Sequence, residues 1–112
     1  MLFRSVADGA FSGCSGLEEI SIPDGVTYIG DSAFLDCTGL KRVTLPDSLT
    51  HIGDSAFCGC TSLEEIRIPV AVTIIGAKAF YGCSSLENIE IPVSVRIIRQ
   101  DAFAGTRITK ER

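Results

Sequence analysis

The chain lacks tryptophan, has a single histidine and carries no excess of positive charge. Its 10 lysine and arginine residues are outnumbered by 14 aspartate and glutamate residues, which leaves a formal net charge of −4. Nucleic-acid-binding surfaces cluster lysine and arginine against phosphates, so we expect no nucleic-acid partner. A lone histidine also gives little material for proton transfer or metal binding, so we expect no enzymatic activity, no cofactor and no metal site.

Long apolar runs are absent as well. The longest stretch without a charged residue, Ile68 to Ala77, is well short of the roughly 20 apolar residues that cross a bilayer as a helix. Met1 to Ser5 contain no apolar run of the kind found in signal peptides, so we expect no signal peptide within this sequence. The length of 112 residues and the hydrophobic fraction of 46% instead predict one folded domain.

A repeat with a period of 23 residues runs through the whole sequence. Ala-Phe pairs begin at residues 10, 33, 56, 79 and 102. Two further columns of the repeat hold cysteine, at Cys14, Cys37, Cys60 and Cys83, and leucine, at Leu17, Leu40, Leu63 and Leu86. A fixed period between about 20 and 50 residues indicates a solenoid, in which each repeat forms one coil and neighbouring coils share a continuous core.

Each coil contains a strand pattern followed by a second short apolar piece. Ile20 and Ile22 stand two residues apart, the period of a strand, and polar Ser21 between them faces the other way. A proline follows and ends the strand, since it has no N–H for a ladder. After the second piece, Gly30 indicates either a positive φ or a close contact between coils. Stacked coils of this kind predict a β-rich solenoid with a parallel sheet of about four strands and corners made of short turns or of 3-10 or helical turns.

The repeat motif resembles that of a known family. Residues 52–73 read Ile-Gly-Asp-Ser-Ala-Phe-x-x-Cys-x-x-Leu-x-x-Ile-x-Ile-Pro-x-x-Val-Thr, and this pattern is similar to the BspA-like, or Treponema pallidum-type, leucine-rich repeat. The resemblance covers essentially the whole chain. It implies a leucine-rich-repeat solenoid in a surface or secreted protein of a bacterium or a protist, which adheres to host matrix or surface proteins. It carries no catalytic residues over to this sequence.

Two other functions stay open on the same residues. The chain can be a structural spacer of a larger repeat protein with no partner of its own, or it can self-associate through the open edges of its terminal coils. The sequence also starts and stops within a coil. We therefore expect residues 1–112 to form a single leucine-rich-repeat domain with partial first and last coils, taken from a longer array.

The outward residues of the strands are the first candidate binding surface. They are Glu18, Glu19, Lys41, Arg42, Glu64, Glu65, Arg67, Glu87, Asn88 and Glu90. Six glutamates and three basic residues leave a charge of −3, so one interpretation is an acidic surface that attracts basic partners. The other interpretation is that signs alternate between neighbouring strands, as in Glu19, Arg42 and Glu65, to form cross-strand pairs that keep an open sheet soluble.

A second candidate surface is apolar. Two columns that begin with polar or aromatic residues become aliphatic in the C-terminal half of the chain, at Val70 and Val93 and at Ile74 and Ile97. If these side chains point outward, they form a contact patch, with self-association as its commonest use. The alternative is that the positions are half buried and tolerate either chemistry.

The cysteines and one set of polar residues need a separate reading. The four stacked cysteines are further apart than a disulfide allows, so we expect small buried residues rather than bridges. Cys58 and Cys60 near His51 are too few ligands for a structural zinc site. Ser48, His51 and Asp54 are the residue types of a catalytic triad. Their spacing in the sequence, however, does not identify one of them as a nucleophile and another as its base.

Overall fold

The computed structural model of the chain describes residues 4–108, so Met1 to Phe3 and Thr109 to Arg112 of the predicted domain lie outside the described residues. Within that range the chain forms a solenoid of short parallel strands joined by turns, without a helix. A five-stranded sheet has the order β1-β3-β5-β7-β8, and its strands are β1 (Ser5–Val6), β3 (Tyr28–Ile29), β5 (His51–Ile52), β7 (Ile74–Ile75) and β8 (Ile97–Ile98). A three-stranded sheet has the order β2-β4-β6, and its strands are β2 (Glu19–Ser21), β4 (Arg42–Thr44) and β6 (Glu65–Ile66).

The predicted β-rich solenoid with its 23-residue repeat is therefore confirmed, but the number of sheets differs from the expectation. The predicted sheet of about four strands corresponds to the three-stranded sheet, which the fourth coil joins only through an isolated bridge between Glu65 and Asn88. The second apolar piece of each coil builds a sheet of its own. It does so because equal coil lengths put every column in register, as in the pairing of Tyr28 with His51. The corners are turns rather than helical segments.

Strand alternation decides which residues enter the core. In the three-stranded sheet, Val43 and Ile66 point inward and are 7% and 5% exposed, while their neighbours along the strands are exposed. The pattern that the sequence predicted for Ile20 and Ser21 is thus confirmed. Among residues 4–108, no polar or charged side chain is buried, so the interior is entirely apolar.

A column of stacked phenylalanines forms the centre of that interior. The rings of Phe11, Phe34, Phe57, Phe80 and Phe103 follow one another through the coils, with centroids 5.1 to 5.4 Å apart and planes within 7° of parallel. The three central rings are fully buried. A single coil leaves both faces of its ring uncovered, and the rings of the two neighbouring coils cover them. Neighbouring coils therefore stabilise each other.

One turn position of the repeat adopts a left-handed backbone conformation in every coil. Its column contains Gly9, Ser32, Ser55, Lys78 and Asp101, all with φ between 57° and 65°. Non-glycine residues avoid this region because the Cβ approaches a carbonyl oxygen. Stacking holds them there, since the N–H of Ser32 donates to the carbonyl of Asp54 at 2.8 Å, and that of Ser55 donates to the carbonyl of Ala77 at the same distance.

The glycine after each second strand has a different role. Gly30, Gly53 and Gly76 have no positive φ. A Cβ on any of them would lie 2.6 to 2.7 Å from its nearest atoms in the preceding coil. Of the two explanations that the sequence left open, close contact between coils is therefore the correct one.

The predicted buried cysteines are confirmed for three of the four stacked positions. Cys37, Cys60 and Cys83 are free and buried, and each thiol donates to a phenylalanine carbonyl one coil earlier, at 3.0 to 3.1 Å. Burial raises the pKa of all three thiols. The expectation was wrong for Cys14, which is exposed because no described coil packs against its N-terminal side.

Candidate functional site

The outward side of the three-stranded sheet carries the first set of predicted site residues. We call this surface the strand face; it consists of Glu18, Glu19, Ser21, Lys41, Arg42, Thr44, Glu64, Glu65, Arg67, Glu87, Asn88 and Glu90, all of which are exposed. The strand register brings residues 23 positions apart side by side, as in the pairing of Glu19 with Arg42 and of Arg42 with Glu65. The ten residues predicted from the sequence therefore lie on one continuous surface.

An open depression of about 780 Å³ lies on the strand face. Its polar rim includes Arg42, Glu65, Arg67, Asn88 and Glu90, and it extends past the strands to Val70 and Pro92. A second depression, of about 450 Å³, adjoins it at Thr44 and Arg67 and includes Asp24 and Asp47. Both depressions are open to solvent along the strands, unlike the enclosed pockets that bury most of a small molecule.

Ion pairs on the strand face are few and exposed. Arg42 Nη1 lies 3.9 Å from Glu19 Oε2, and Arg67 Nη1 lies 3.4 Å from Asp47 Oδ1. Side chains that are 70% to 80% exposed gain little from such pairs, typically less than about 1 kcal/mol. Cross-strand pairing was expected for Glu19 and Arg42 and is present. Lys41 forms no ion pair with the described residues, although glutamates precede and follow it in its column.

The four residues of the predicted apolar patch are divided between two parts of the surface. Ile74 and Ile97 are neighbours on β7 and β8 of the five-stranded sheet. Val70 and Val93 lie in the turns between the two sheets, where they are 66% and 96% exposed. Ile97 is 43% exposed, whereas Ile74 is partly buried. A contact role for these residues stays a prediction, but Val70 lies at the depression on the strand face.

The residue types of a catalytic triad are used for structural hydrogen bonds. The hydroxyl of Ser48 donates to the carbonyl of Val26 at 2.8 Å and accepts the N–H of Gly25 at 3.0 Å. Nδ1 of His51 lies 2.8 Å from the hydroxyl of Thr50, and Asp54 Oδ1 accepts the N–H of the residue one coil later at 2.9 Å. These three side chains therefore form no relay with one another.

Nothing in the described part of the chain collects the ligands of a metal ion. Residues 4–108 contain no group of three or more His, Cys, Asp or Glu side chains close enough to bind one. Cys58 is partly buried, and burial raises the pKa of its thiol. Residues 4–108 also contain no helix of the length and apolar character needed to cross a membrane.

Two residues that adjoin the strand face, Asp47 and Val70, were not assigned to it from the sequence. Asp47 was not expected to hold Arg67, because the two residues are 20 positions apart and occupy different columns of the repeat. Val70 was placed in the apolar patch and not beside the charged strand residues. Both residues directly follow the proline that ends a strand segment. That position in the repeat could have indicated them, because the turn after the proline lies beside the outward side chains of the next coil.

Known proteins share this architecture. Residues 4–111 match six copies of the repeat described as BspA type leucine rich repeat region. A leucine-rich repeat protein of Treponema pallidum superposes with a TM-score of 0.91 at 40% identity, over 93% of this chain and 49% of that one. A leucine-rich cell surface protein of Faecalibacterium prausnitzii superposes with a TM-score of 0.88 at 35% identity, over 97% of this chain and 30% of that one.

A third similar structure is more distant. A leucine-rich repeat protein of Eubacterium ventriosum has a TM-score of 0.66 at 32% identity, over 95% of this chain and 35% of that one. None of the curated proteins matches the chain. The chain spans about half of the length of the Treponema protein and a third or less of the Faecalibacterium protein.

Proposed function

Because the chain belongs to the BspA-type leucine-rich repeat family, we propose that it is a non-enzymatic protein-interaction module that binds other proteins through its strand face. Adhesion to matrix or surface proteins of a host is the form of binding proposed. A surface or secreted location goes with it, supported by the cell surface description of the Faecalibacterium relative.

The observation that carries this proposal is the combination of a rigid scaffold and an exposed polar surface. Thr44 lies at an exposed strand position and Asn88 at an exposed bridge, and the core of the same coils contains rings stacked 5.1 to 5.4 Å apart. A surface held in this way loses little conformational entropy when a partner binds. The described hydrogen bonds and ion pairs of the strand face leave most of its charged side chains free to contact another protein.

The proposal predicts that a bulky substitution on the strand face abolishes binding. Thr44→Trp with Asn88→Trp adds two large rings beside the depression without changing the net charge, so it blocks access sterically. Surface plasmon resonance against a panel of purified extracellular-matrix proteins measures the effect. We expect saturable binding of the unmodified chain to at least one member and a loss of at least about tenfold in affinity for the variant, or about 1.4 kcal/mol.

Gln100→Trp is the control, because Gln100 is exposed in the turn after β8 and lies outside the strand face. It is expected to bind like the unmodified chain. Equal losses in both variants would show that the effect is not specific to the strand face and would contradict the proposal. Absence of saturable binding to every protein of the panel would favour the structural spacer instead. The longer array predicted from the sequence stays a prediction.

A further inference from the structure

The sequence contains two Asp-Gly pairs, Asp8-Gly9 and Asp24-Gly25. An aspartate before glycine can cyclise on its own backbone, because glycine has no Cβ that hinders the approach of its nitrogen to the aspartate side chain. All four residues are exposed. Both glycines have a positive φ, and a Cβ on either would meet no atom within 4 Å. The two pairs are therefore alike in exposure and glycine conformation, but they differ in their hydrogen bonds.

The next coil holds both reacting groups of the first pair. Oδ1 of Asp8 accepts the N–H of Asp31 at 2.8 Å, and the N–H of Gly9 donates to the carbonyl of the same residue at 2.9 Å. The carboxyl group and the amide nitrogen must meet for the ring to close. At this pair, their approach breaks two hydrogen bonds between coils, and the loss of these bonds opposes the reaction.

The second pair is held less firmly. The carboxylate of Asp24 has no hydrogen bond or ion pair with the residues that the structure describes. The N–H of Gly25 donates to the hydroxyl oxygen of Ser48 at 3.0 Å, which is the only hydrogen bond between this pair and the next coil in the described range. Ring closure here therefore breaks one hydrogen bond to a side chain and leaves the backbone hydrogen bonds between coils in place.

From this difference, we infer that Asp24 is a site of spontaneous covalent modification, at which the folded chain converts aspartate to isoaspartate, and that Asp8 is protected from the same reaction. The nitrogen of Gly25 loses its proton and bonds to Cγ of Asp24, while a bond from Cγ to oxygen breaks and that oxygen leaves as water. Water then reopens the five-membered ring. Breaking the bond from nitrogen to the main-chain carbonyl carbon gives isoaspartate, and breaking the bond from nitrogen to Cγ restores aspartate.

The modification changes the edge of the proposed binding surface. The turn that contains Asp24 joins β2 to β3 and lines the second depression, of about 450 Å³, beside the strand face. Isoaspartate adds one methylene group to the main chain of this turn and moves its carboxylate to a new position. The reaction takes place within the chain and needs no partner, so it does not depend on the proposed function.

The test is an incubation of the full folded chain at neutral pH and physiological temperature. Trypsin releases residues 5–41 as one peptide, because no lysine or arginine lies between Arg4 and Lys41. Both pairs are therefore measured in the same fragment, by electron-transfer fragmentation, which gives ions characteristic of isoaspartate. We expect isoaspartate to form at Asp24 at least about tenfold faster than at Asp8.

Two controls separate the effect of the structure from that of the sequence. In concentrated urea both pairs lose their hydrogen bonds to the next coil, so we expect the two rates to agree within about threefold. Gly25→Ser places at this position the residue that later coils have at Ser48 and Ser94, neither of which has a positive φ. We expect it to slow the reaction at Asp24 at least about tenfold and to leave the rate at Asp8 unchanged.

Equal rates at Asp8 and Asp24 in the folded chain would overturn the inference, because the hydrogen bonds of Asp8 would then give no protection. So would the absence of isoaspartate at Asp24 over a period in which the unfolded chain forms it. A preference for Asp24 that persists unchanged in urea would also contradict it, since the neighbouring residues in the sequence, rather than the fold, would then set the rate.

Discussion

Replacing Phe57 with alanine is expected to lower the free energy of unfolding by about 3–5 kcal/mol. Phe57 is fully buried, and its ring stacks between those of Phe34 at 5.1 Å and Phe80 at 5.3 Å. The substitution leaves a cavity that neither neighbouring coil can fill, because both rings are held by further stacking. Urea denaturation followed by circular dichroism measures the change.

Phe11→Ala is the matched control for this prediction. Phe11 is only partly buried and stacks on a single described ring, that of Phe34 at 5.1 Å. Its loss removes fewer contacts and opens a site that solvent already reaches, so the expected cost is at most half of that for Phe57→Ala. Equal costs for the two substitutions would mean that the coils do not share one continuous core.

Replacing Gly53 with alanine is the second change with a large expected effect. The added Cβ would lie 2.7 Å from the carbonyl oxygen of Ile29 and 2.8 Å from the carbonyl carbon of Gly30. Both atoms belong to the backbone, so the two coils must move apart to relieve the contact. We expect the free energy of unfolding to fall by about 1–3 kcal/mol, the usual cost of overpacking, in the same urea experiment.

Gly16→Ala tests whether that cost comes from coil contact and not from the chemistry of the substitution. Gly16 has no positive φ, and a Cβ there would meet no atom within 4 Å. We expect stability to change by less than about 0.5 kcal/mol. A loss as large as that of Gly53→Ala would show that the substitution itself is costly without any contact between coils, and close stacking would then not explain the effect at Gly53.

The repeat made most of the fold predictable from the sequence. Columns such as that of Phe34 identify the inward positions directly, and the alternation at Ile20 and Ser21 identifies the strand face. Single-coil propensity could not reveal the second sheet, because β5 has only two residues and forms only by pairing with its neighbours in register. The left-handed conformation of Lys78 was equally hidden, since nothing in its residue type favours it.

The exposure of the strand-face residues could be predicted from the sequence and the placement of the apolar residues could not, and a binding role for either set stays a prediction. Every predicted residue of the strand face is exposed. The strand period of two fixes the outward direction of positions such as Glu19 and Ser21, whereas Glu18 is exposed because it precedes the strand. The apolar patch was assembled from two columns without knowing how the turn after each proline is placed. Val70 consequently lies at the depression of the strand face, whereas Ile74 lies on the five-stranded sheet.

Amide hydrogen exchange in the presence of a captured matrix protein shows which surface of the solenoid the partner covers. We expect slower exchange along the strand face, in residues 18–21, 41–44, 64–67 and 87–90, and unchanged exchange in β5 and β7. Slower exchange confined to β5 and β7 would contradict this expectation, because the partner would then bind the five-stranded sheet.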